Sequence, residues 1–306
     1  MVGVKSEVEK KGQGFNRTGH GVKIGLNRVL RWKRHLGSNW ILFSLSIVIF
    51  IIATTCAVVP GIIAPHSPLS INPGINLASP SWSHPFGTDQ YGRDILSQIV
   101  YGAREALIIG FLAVALAMIV GGVAGLIAGT TGGFADMALM RLIDVLMAFP
   151  GIVVALLFVA ALGPSLSSEI IAVAIAAIPS FARVTRGQVL MVRSRLYVEA
   201  LKAMGITRIR LVVRHILPNS LAPIVVLATI GIGNAIVLGS ALNFLGLGPT
   251  GGIPDWGRLL AIGEPYISTA WWITTFPGLA ITLLVVAANI IGDWLRDRMD
   301  VAEILQ

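Results

Sequence analysis

The chain has 306 residues and a net charge of +8; 55% of its residues are hydrophobic and only 12% are charged. That composition is too apolar for a soluble domain, and the longest uncharged runs exceed the length that a bilayer requires. The sequence therefore predicts a polytopic membrane protein. The positive charge does not indicate nucleic-acid binding, because most Lys and Arg residues lie in two segments beside apolar runs. Since Cys56 is the single cysteine, an intrachain disulfide is excluded.

The N-terminal 39 residues carry nine Lys or Arg residues against two Glu residues, which predicts an irregular basic tail. The next 20 residues, 40–59, are uncharged and long enough to span a bilayer. A cleaved secretory signal is the competing interpretation, but its charged region is much shorter than this tail. We therefore expect an uncleaved first span with the N-terminus inside.

Residues 60–99 are rich in Pro, Gly, Ser and Asn, which is typical of an exposed loop built from turns. At the end of this loop, residues 84–107 read HPFGTDQYGRDILSQIVYGAREAL. Apolar residues at helical spacing lie beside charged ones there, which predicts an amphipathic helix along the membrane surface. This helix would precede the second span.

The second and third spans are predicted on either side of a short charged segment. Residues 106–135 are uncharged, and their glycines at 121, 122, 125 and 129 permit close helix packing. Arg141 and Asp144 follow three residues apart, and we expect them to pair at the inner face. The third span runs from Val145 to Leu162, with a kink at Pro150.

The fourth apolar run is too short to cross a bilayer. Only 13 uncharged residues separate Glu169 from Arg183, which is about 20 Å of helix against a hydrocarbon core of about 30 Å. The helix is therefore expected to continue to about Met191. In that case Arg183 and Arg186 must reach the inner interface or face protein.

A basic helix-turn-helix is predicted between the fourth and fifth spans. The first helix runs from Arg195 to Met204, with Ser194 as its N-cap and Gly205 as the left-handed residue that closes it. The second helix begins after a Thr207 cap. It should end near Leu217, because Pro218 has no N–H group and its ring clashes with the preceding turn.

The last two spans are predicted at Leu221–Leu242 and Tyr266–Ile291, followed by a short polar tail from Asp293 to Gln306. Between the spans, glycines 246, 248 and 251 match G-x-G-x-x-G. No soluble strand precedes them and Pro249 interrupts them, so a structured outer loop is expected in place of a nucleotide site. The outer end of the sixth span should carry an interfacial belt of Tyr266, Trp271 and Trp272.

Positive charge predicts the orientation. The N-terminal tail and residues 183–214 hold 17 of the 23 Lys and Arg residues, whereas the connections at 60–105, 163–169 and 244–270 hold two, none and one. By the positive-inside rule the tail and the helix-turn-helix face the cytoplasm. Six spans with both termini inside satisfy these counts.

Other classes of protein fit the sequence less well. An intramembrane enzyme needs catalytic residues inside spans, and neither H-E-x-x-H nor paired carboxylates are present; the five histidines share no metal-ligand spacing. A secondary transporter or channel would be expected to show internal repeats or a buried acidic relay, and neither is evident. DNA binding would need a free, groove-sized module, whereas this helix-turn-helix is tethered between spans. The chain also lacks a Walker A sequence.

The helix-turn-helix resembles the EAA loop of ABC-importer permeases, whose pattern is Glu-Ala-Ala, three residues, Gly, nine residues, Ile, any residue and Leu-Pro. Two positions depart from it, Leu201 in place of the second Ala and His215 in place of Ile. The resemblance implies that this loop docks an ATPase. The docking residues would be Glu199, Ala200, Leu201, Gly205, Leu217 and Pro218.

Further motifs resemble the dipeptide, oligopeptide and nickel permease family over roughly residues 40–300. They are GTD, GRD and YGAR within residues 87–104, MRLIDVLMAFPGI at 140–152, and FLGLG with WGR between 244 and 258. The resemblance implies an all-α integral membrane protein of the type I ABC-importer permease fold, with six spans and cytoplasmic termini. It predicts a basic tail at 1–39, a first span and outer loop at 40–105, and a five-helix core at 106–306 with its coupling loop at 191–218.

Membership of that family would place the chain in the bacterial inner membrane. Its partners would be a second, related permease, two cytoplasmic ATP-binding subunits that bind ATP and Mg²⁺, an extracytoplasmic solute-binding protein and membrane lipid, without nucleic acid. The chain itself would have no catalytic residues, metal or cofactor. The expected substrate is a short peptide, with nickel or a glutathione-type peptide as the alternative.

Overall fold

The computed structural model describes residues 40–249, 252 and 254–304, with side chains described to residue 299. Contacts divide the chain into two units between Leu45 and Ser46. The predicted basic tail at 1–39 lies outside the described residues, as does Gly251 of the glycine pattern. All regular elements of the described residues are helical, apart from one isolated β-bridge between Thr88 and Asp94.

The helices are named here in chain order. They are α1 (Trp40–Val58), α2 (Pro60–Ile63), α3 (Ile95–Thr131), α4 (Gly133–Met147), α5 (Gly151–Leu162), α6 (Leu166–Arg193), α7 (Leu196–Ala203), α8 (Arg208–Leu211), α9 (Leu217–Phe244), α10 (Trp256–Gly263) and α11 (Trp272–Ile304). Short 3₁₀ turns at Pro73–Ile75 and Glu264–Tyr266 and a π-helical turn at Val212–Ile216 join some of them.

Five helical runs of the described residues are long and apolar enough to cross a membrane, and a sixth is obtained when the bent pair α4 and α5 counts as one span. The five are α1, α3, α6, α11 and a continuous run from Arg208 to Phe244. The predicted all-α membrane fold is thereby confirmed. The cytoplasmic placement of both termini remains a prediction.

The expected surface helix before the second span is wrong. Residues 95–107 form the first turns of α3, a 37-residue helix about 55 Å long at 1.5 Å per residue. Most of these residues are buried, including Ile95 and Val100. No proline interrupts the run from 95 to 131, and Asp94 caps it by accepting a hydrogen bond from the Ser97 N–H group. The predicted surface helix and the second span therefore form one continuous helix.

The third span is broken where the sequence indicated only a kink. Helices α4 and α5 meet at an angle of 90° across the short break that contains Pro150. Pro150 has a φ of −55° and a ψ of 135°, so its backbone leaves the helix before α5 begins. A proline ring also disfavours the helical region for the residue before it, which explains a full break.

Glycines on α3 allow this helix to pack directly against the backbone of α6. A Cβ atom at Gly121 would lie 2.6 Å from the Ile178 carbonyl oxygen, and one at Gly129 would lie 2.6 Å from Val189 Cγ1. Gly125 meets the Ala182 carbonyl in the same way. These glycines lie four residues apart and form one stripe, so the predicted close packing of small residues is confirmed.

We expect Gly121→Ala to destabilise the folded chain by about 1–3 kcal/mol, because the added methyl group has no space against α6. Gly122→Ala is the matched control, since its Cβ would find only Thr185 Oγ1 within 4 Å, at 4.0 Å. Thermal unfolding of the two variants in detergent measures the difference. Equal midpoints would show that α3 and α6 do not pack in this register.

The outer loop is more ordered than its composition indicated, because the GTD and GRD motifs bond internally. Asp89 is fully buried and accepts hydrogen bonds from the N–H groups of Tyr91 and Arg93 and from Arg93 Nε. Thr88 is also buried, and its carbonyl accepts a 3.0 Å hydrogen bond from Trp272 Nε1. The prediction that Trp272 belongs to an interfacial belt is therefore wrong, whereas Trp271 is half exposed.

Candidate functional site

The predicted docking loop folds into two helical pieces joined at Gly205. Helix α7 is followed by Gly205 with a φ of +79°, the left-handed conformation that was expected there. The Gly205 N–H group donates to the Lys202 carbonyl at 3.0 Å, and the next N–H, of Ile206, donates to the Leu201 carbonyl at 3.3 Å. These bonds satisfy carbonyl groups at the end of α7. Gly205 therefore sets the direction in which the chain leaves that helix.

The predicted side-chain caps of this loop are wrong. Ser194 belongs to the end of α6, where its hydroxyl donates to the Met191 carbonyl, and Arg195 occupies the N-cap position of α7. Thr207 does stand at the N-cap of α8, but its side chain makes no capping hydrogen bond. The helix ends follow from backbone geometry and from packing beneath them.

The expected stop near Leu217 is also wrong, because the chain stays helical from Arg208 into α9. A π-helical turn at Val212–Ile216 precedes Pro218, and the Leu217 N–H group donates to the Val212 carbonyl, five residues back. Pro218 then occupies the first turn of α9, where a missing N–H group is tolerated. The π turn thus joins the loop to the fifth span without a break in the helix.

The loop is held firmly on the ends of the spans. Buried valine, leucine and isoleucine side chains from α6, α7, α8 and the π turn form one cluster: Val189, Val192, Val198, Leu211 and Ile216. Arg193 and Arg208 also donate to the Thr130 carbonyl at the end of α3, at 3.2 and 2.7 Å. Cationic groups at a helix C-terminus are favoured by the helix dipole. The loop is therefore tied to α3, α6 and α9 together.

Three large apolar side chains of the loop are exposed. Leu196, Met204 and Ile209 are 82%, 70% and 79% exposed. Exposed large apolar side chains are typical of interaction surfaces when they lie together. We call these three residues the apolar face of the loop.

The structure places the predicted docking residues on both sides of the loop. Glu199, Ala200, Gly205 and Pro218 are exposed, whereas Leu201 and Leu217 are partly buried. Leu201 packs against this buried cluster of Val, Leu and Ile side chains. The leucine that replaces alanine at this position of the motif therefore has a structural role. The exposed members of the set are the ones that a partner could contact.

The predicted inner-face pair of Arg141 and Asp144 is wrong. Asp144 instead accepts a 2.7 Å hydrogen bond from Arg183 of α6, and Asp136 of α4 pairs with Arg186 through two hydrogen bonds. These ion pairs satisfy the two arginines of the long fourth helix, which extends to Arg193 as predicted. Arg183 and Arg186 therefore face carboxylates of the protein, which was one of the two expected placements of these arginines.

Buried carboxyl groups were missed in the sequence. Glu105 of α3 and Glu169 of α6 are 4% and 0% exposed, and their oxygens have no hydrogen-bond partner among the described residues. The absence of a buried acidic residue in the spans was therefore a wrong inference. Both residues stand at the ends of uncharged runs, where an acidic residue ordinarily marks the membrane interface.

The WGR motif packs against α3, the helix that carries Glu105. Asp255 caps α10 by accepting a hydrogen bond from the Arg258 N–H group at 2.8 Å, and burial raises the pKa of this carboxyl. Trp256 donates to the Ile99 carbonyl at 2.9 Å and lies against Gly102, where a Cβ would be 2.8 Å from its ring. The YGAR and WGR motifs are thus two halves of one contact between α3 and α10.

These features define the class of the protein, a polytopic helical membrane protein with a folded loop packed on the ends of its long helices. A family model described as binding-protein-dependent transport system inner membrane component matches residues 121–301. The chain belongs to this family and is a multi-pass permease of a bacterial inner-membrane importer. The family transports its substrate and works with ATP-hydrolysing and substrate-binding partners.

Relatives and solved structures support the same assignment. The chain is 46% identical to a protein of Alkalihalophilus pseudofirmus named dipeptide transport system permease protein DppC, covering 84% of this chain and 85% of that one. It is 41% identical to a protein of Escherichia coli named probable D,D-dipeptide transport system permease protein DdpC, with coverages of 78% and 80%. An inward-facing structure of the MetNI methionine ABC transporter is 21% identical, with a TM-score of 0.55, over 65% of this chain and 95% of that one. This last likeness shows the fold.

Proposed function

We propose that the chain forms half of the translocation pathway for short peptides in a binding-protein-dependent ABC importer. A second, related permease would form the other half. Two cytoplasmic subunits would bind ATP and Mg²⁺ and hydrolyse the ATP, so the chain would need no cofactor or catalytic residues of its own. An extracytoplasmic binding protein would deliver the peptide to the outer side.

The observation that carries the proposal is the attachment of the docking loop. Its buried face rests on α6 and its arginines bind the end of α3, while the π turn continues into α9. Its apolar face is left exposed for an ATP-binding subunit. A closing movement of two ATPases would therefore reach three spans through one rigid piece.

Orientation follows from the same proposal. An ATP-driven partner is cytoplasmic, so residues 191–218 must face the cytoplasm and residues 60–94 the outside. The distribution of Lys and Arg supports this, because eight of them lie in residues 183–214. Both termini would then be cytoplasmic.

The relatives favour a peptide as the substrate. Two of them, at 46% and 41% identity, carry dipeptide transport in their names. The spans are rich in Ala, Gly, Ile and Val, which suits weak and transient contact with a peptide backbone. Nickel import and glutathione import remain the alternatives.

We expect a strain that lacks this permease to lose uptake of a radiolabelled dipeptide and to regain it with the wild-type gene. Uptake of radiolabelled glutathione and Ni²⁺ is measured in the same strains. A variant with an ATPase-deficient partner subunit is the matched control, since it keeps the permease but removes the energy source. Restored uptake of Ni²⁺ without dipeptide uptake would overturn the substrate assignment and leave the importer assignment intact.

A further inference from the structure

Three potential metal ligands meet in the outer loop just before α3. One ring nitrogen each from His66 and His84 and a carboxylate oxygen of Asp94 all lie within 4.8 Å of one another. Asp94 Oδ1 is 2.9 Å from His84 Nδ1 and 4.0 Å from His66 Nδ1. The sequence did not indicate this group, because 18 and 10 residues separate its members.

The carboxylate of Asp94 is held in a fixed orientation by hydrogen bonds to Ser97. Asp94 is 2% exposed, and its Oδ2 atom accepts hydrogen bonds from the Ser97 N–H group at 2.8 Å and the Ser97 hydroxyl at 2.7 Å. These two bonds orient Oδ2 toward α3 and leave Oδ1 facing the histidines. Such support of a ligand by neighbouring hydrogen bonds is typical of metal sites.

The rings of the two histidines are stacked on each other beside this carboxylate. Their ring centroids are 4.7 Å apart with an interplanar angle of 29°. The His66 backbone N–H group donates to Ser97 Oγ at 3.1 Å, so Ser97 holds both His66 and Asp94. The side chains of His66 and His84 are 43% and 15% exposed, which leaves the group open to water on one side.

A structural role alone accounts for only part of this arrangement. The hydrogen bond from His84 Nδ1 to Asp94 explains why these two residues meet. It does not explain His66, whose Nδ1 lies too far from Asp94 for a hydrogen bond and whose ring is stacked on another histidine. Coordination of one cation by all three side chains would account for their close approach.

We propose that His66, His84 and Asp94 bind a divalent transition-metal ion of the zinc type on the outer side of the protein. Ligand atoms 2.0–2.2 Å from a tetrahedral zinc ion lie about 3.3 to 3.6 Å apart, so the three ligand atoms, which lie within 4.8 Å of one another, need separations changed by up to about 1.5 Å. Water completes the coordination on the exposed side. The ion would tie residues 66 and 84 of the outer loop to the N-terminus of α3.

The chemistry of the ligands selects the class of metal. Two imidazoles with one carboxylate suit Zn²⁺, Ni²⁺ or Cu²⁺, whereas Ca²⁺ and Mg²⁺ require oxygen ligands. The contact between His84 Nδ1 and Asp94 Oδ1 would be replaced by bonds from both atoms to the ion.

The test uses the full-length chain in its purified importer complex, stripped of metal with a chelator and titrated with Zn²⁺. We expect His66→Gln to weaken zinc binding at least about tenfold, and His66→Gln with His84→Gln to remove one equivalent. His66 is the preferred single change because its side chain makes no hydrogen bond to any other residue that the structure describes. His215→Gln is the matched control, since that histidine lies in the docking loop.

A second readout reports the ligands directly. Electron paramagnetic resonance of bound Cu²⁺ should show coupling to two imidazole nitrogens in the wild type and to one in His66→Gln. Zinc should also raise the unfolding temperature of the wild type but not of the double variant. The proposal is overturned if the wild type binds no more zinc than the double variant does, or if the copper spectrum is unchanged in His66→Gln.

Discussion

Gly205→Val is expected to abolish transport while the protein still inserts in the membrane at normal abundance. Gly205 has a φ of +79°, and a valine there adds local strain of about 1–2 kcal/mol because its branched side chain disfavours that conformation. A Cβ atom would meet no other group within 4 Å, so the effect comes from the backbone alone. The strain re-aims α7 relative to α8, and with it the apolar face of the loop. Uptake and ATPase activity are measured in a reconstituted complex.

Gly205→Asn is the control for that experiment. Asparagine adopts the left-handed conformation more readily than other side chains, so this variant should keep most of its transport activity. A valine variant that transports as well as the wild type would show that the left-handed turn does not position the docking surface. Loss of activity in both variants would indicate that a partner approaches Gly205 too closely for any side chain.

Glu199→Lys is expected to weaken association with the ATPase subunit at least about tenfold, which corresponds to about 1.4 kcal/mol. Glu199 is the single acidic residue among the eight Lys and Arg residues of positions 183–214, and it is exposed in the first turn of α7. A negative charge there is favoured by the helix dipole and can pair with a cation on the partner. Co-purification of the complex at increasing salt concentration measures the loss.

Glu199→Gln separates the loss of attraction from new repulsion. It removes the negative charge without adding a positive one, so its effect should be intermediate between the wild type and Glu199→Lys. Lys202→Gln, one turn further along α7, tests whether any change of charge on this helix has the same result. If Glu199→Lys binds the ATPase as tightly as the wild type does, Glu199 takes no part in docking.

The apolar runs were sufficient to predict a helical membrane protein with about six spans, because length and hydropathy are local properties. The need for a long fourth helix also followed from local arithmetic, since 13 uncharged residues cannot cross a bilayer. The partners of Arg183 and Arg186 could not be found in this way. These partners are Asp144 and Asp136 of α4, about 40 to 50 residues earlier in the chain. Arg141, which is only three residues from Asp144, is not the residue that pairs with it.

Backbone signals were reliable at glycine and unreliable at proline. Gly205 adopts the expected conformation because few other residues can do so at low cost. Pro218 did not end its helix, since a π turn moved the hydrogen-bonding register before it, and that turn has no simple sequence signal. Pro150 had a larger effect than expected, because its ring disfavours the helical conformation of the preceding residue and its own backbone is extended.

The first helix of the proposed docking loop and its left-handed Gly205 could be predicted from the sequence because that part of the motif is compact. The buried carboxyl groups and the cluster of possible metal ligands, in contrast, are assembled from distant parts of the chain. Glu105, Glu169 and Asp255 come from three separate helices or their caps, and His66 meets Asp94 only when the outer loop folds back. Residue types at such separations carry no spacing signal.

The most direct test of the central claim is site-specific cross-linking from the docking loop. A single cysteine at Met204, in a Cys56→Ser background, carries a short photoactivated cross-linker in the assembled importer, and a cysteine at Leu69 of the outer loop is the control. Both residues are well exposed, at 70% and 50%. The account predicts a cross-link to the ATP-binding subunit from Met204 and none from Leu69. A cross-link to that subunit from Leu69, or none from Met204 in an active complex, would contradict it.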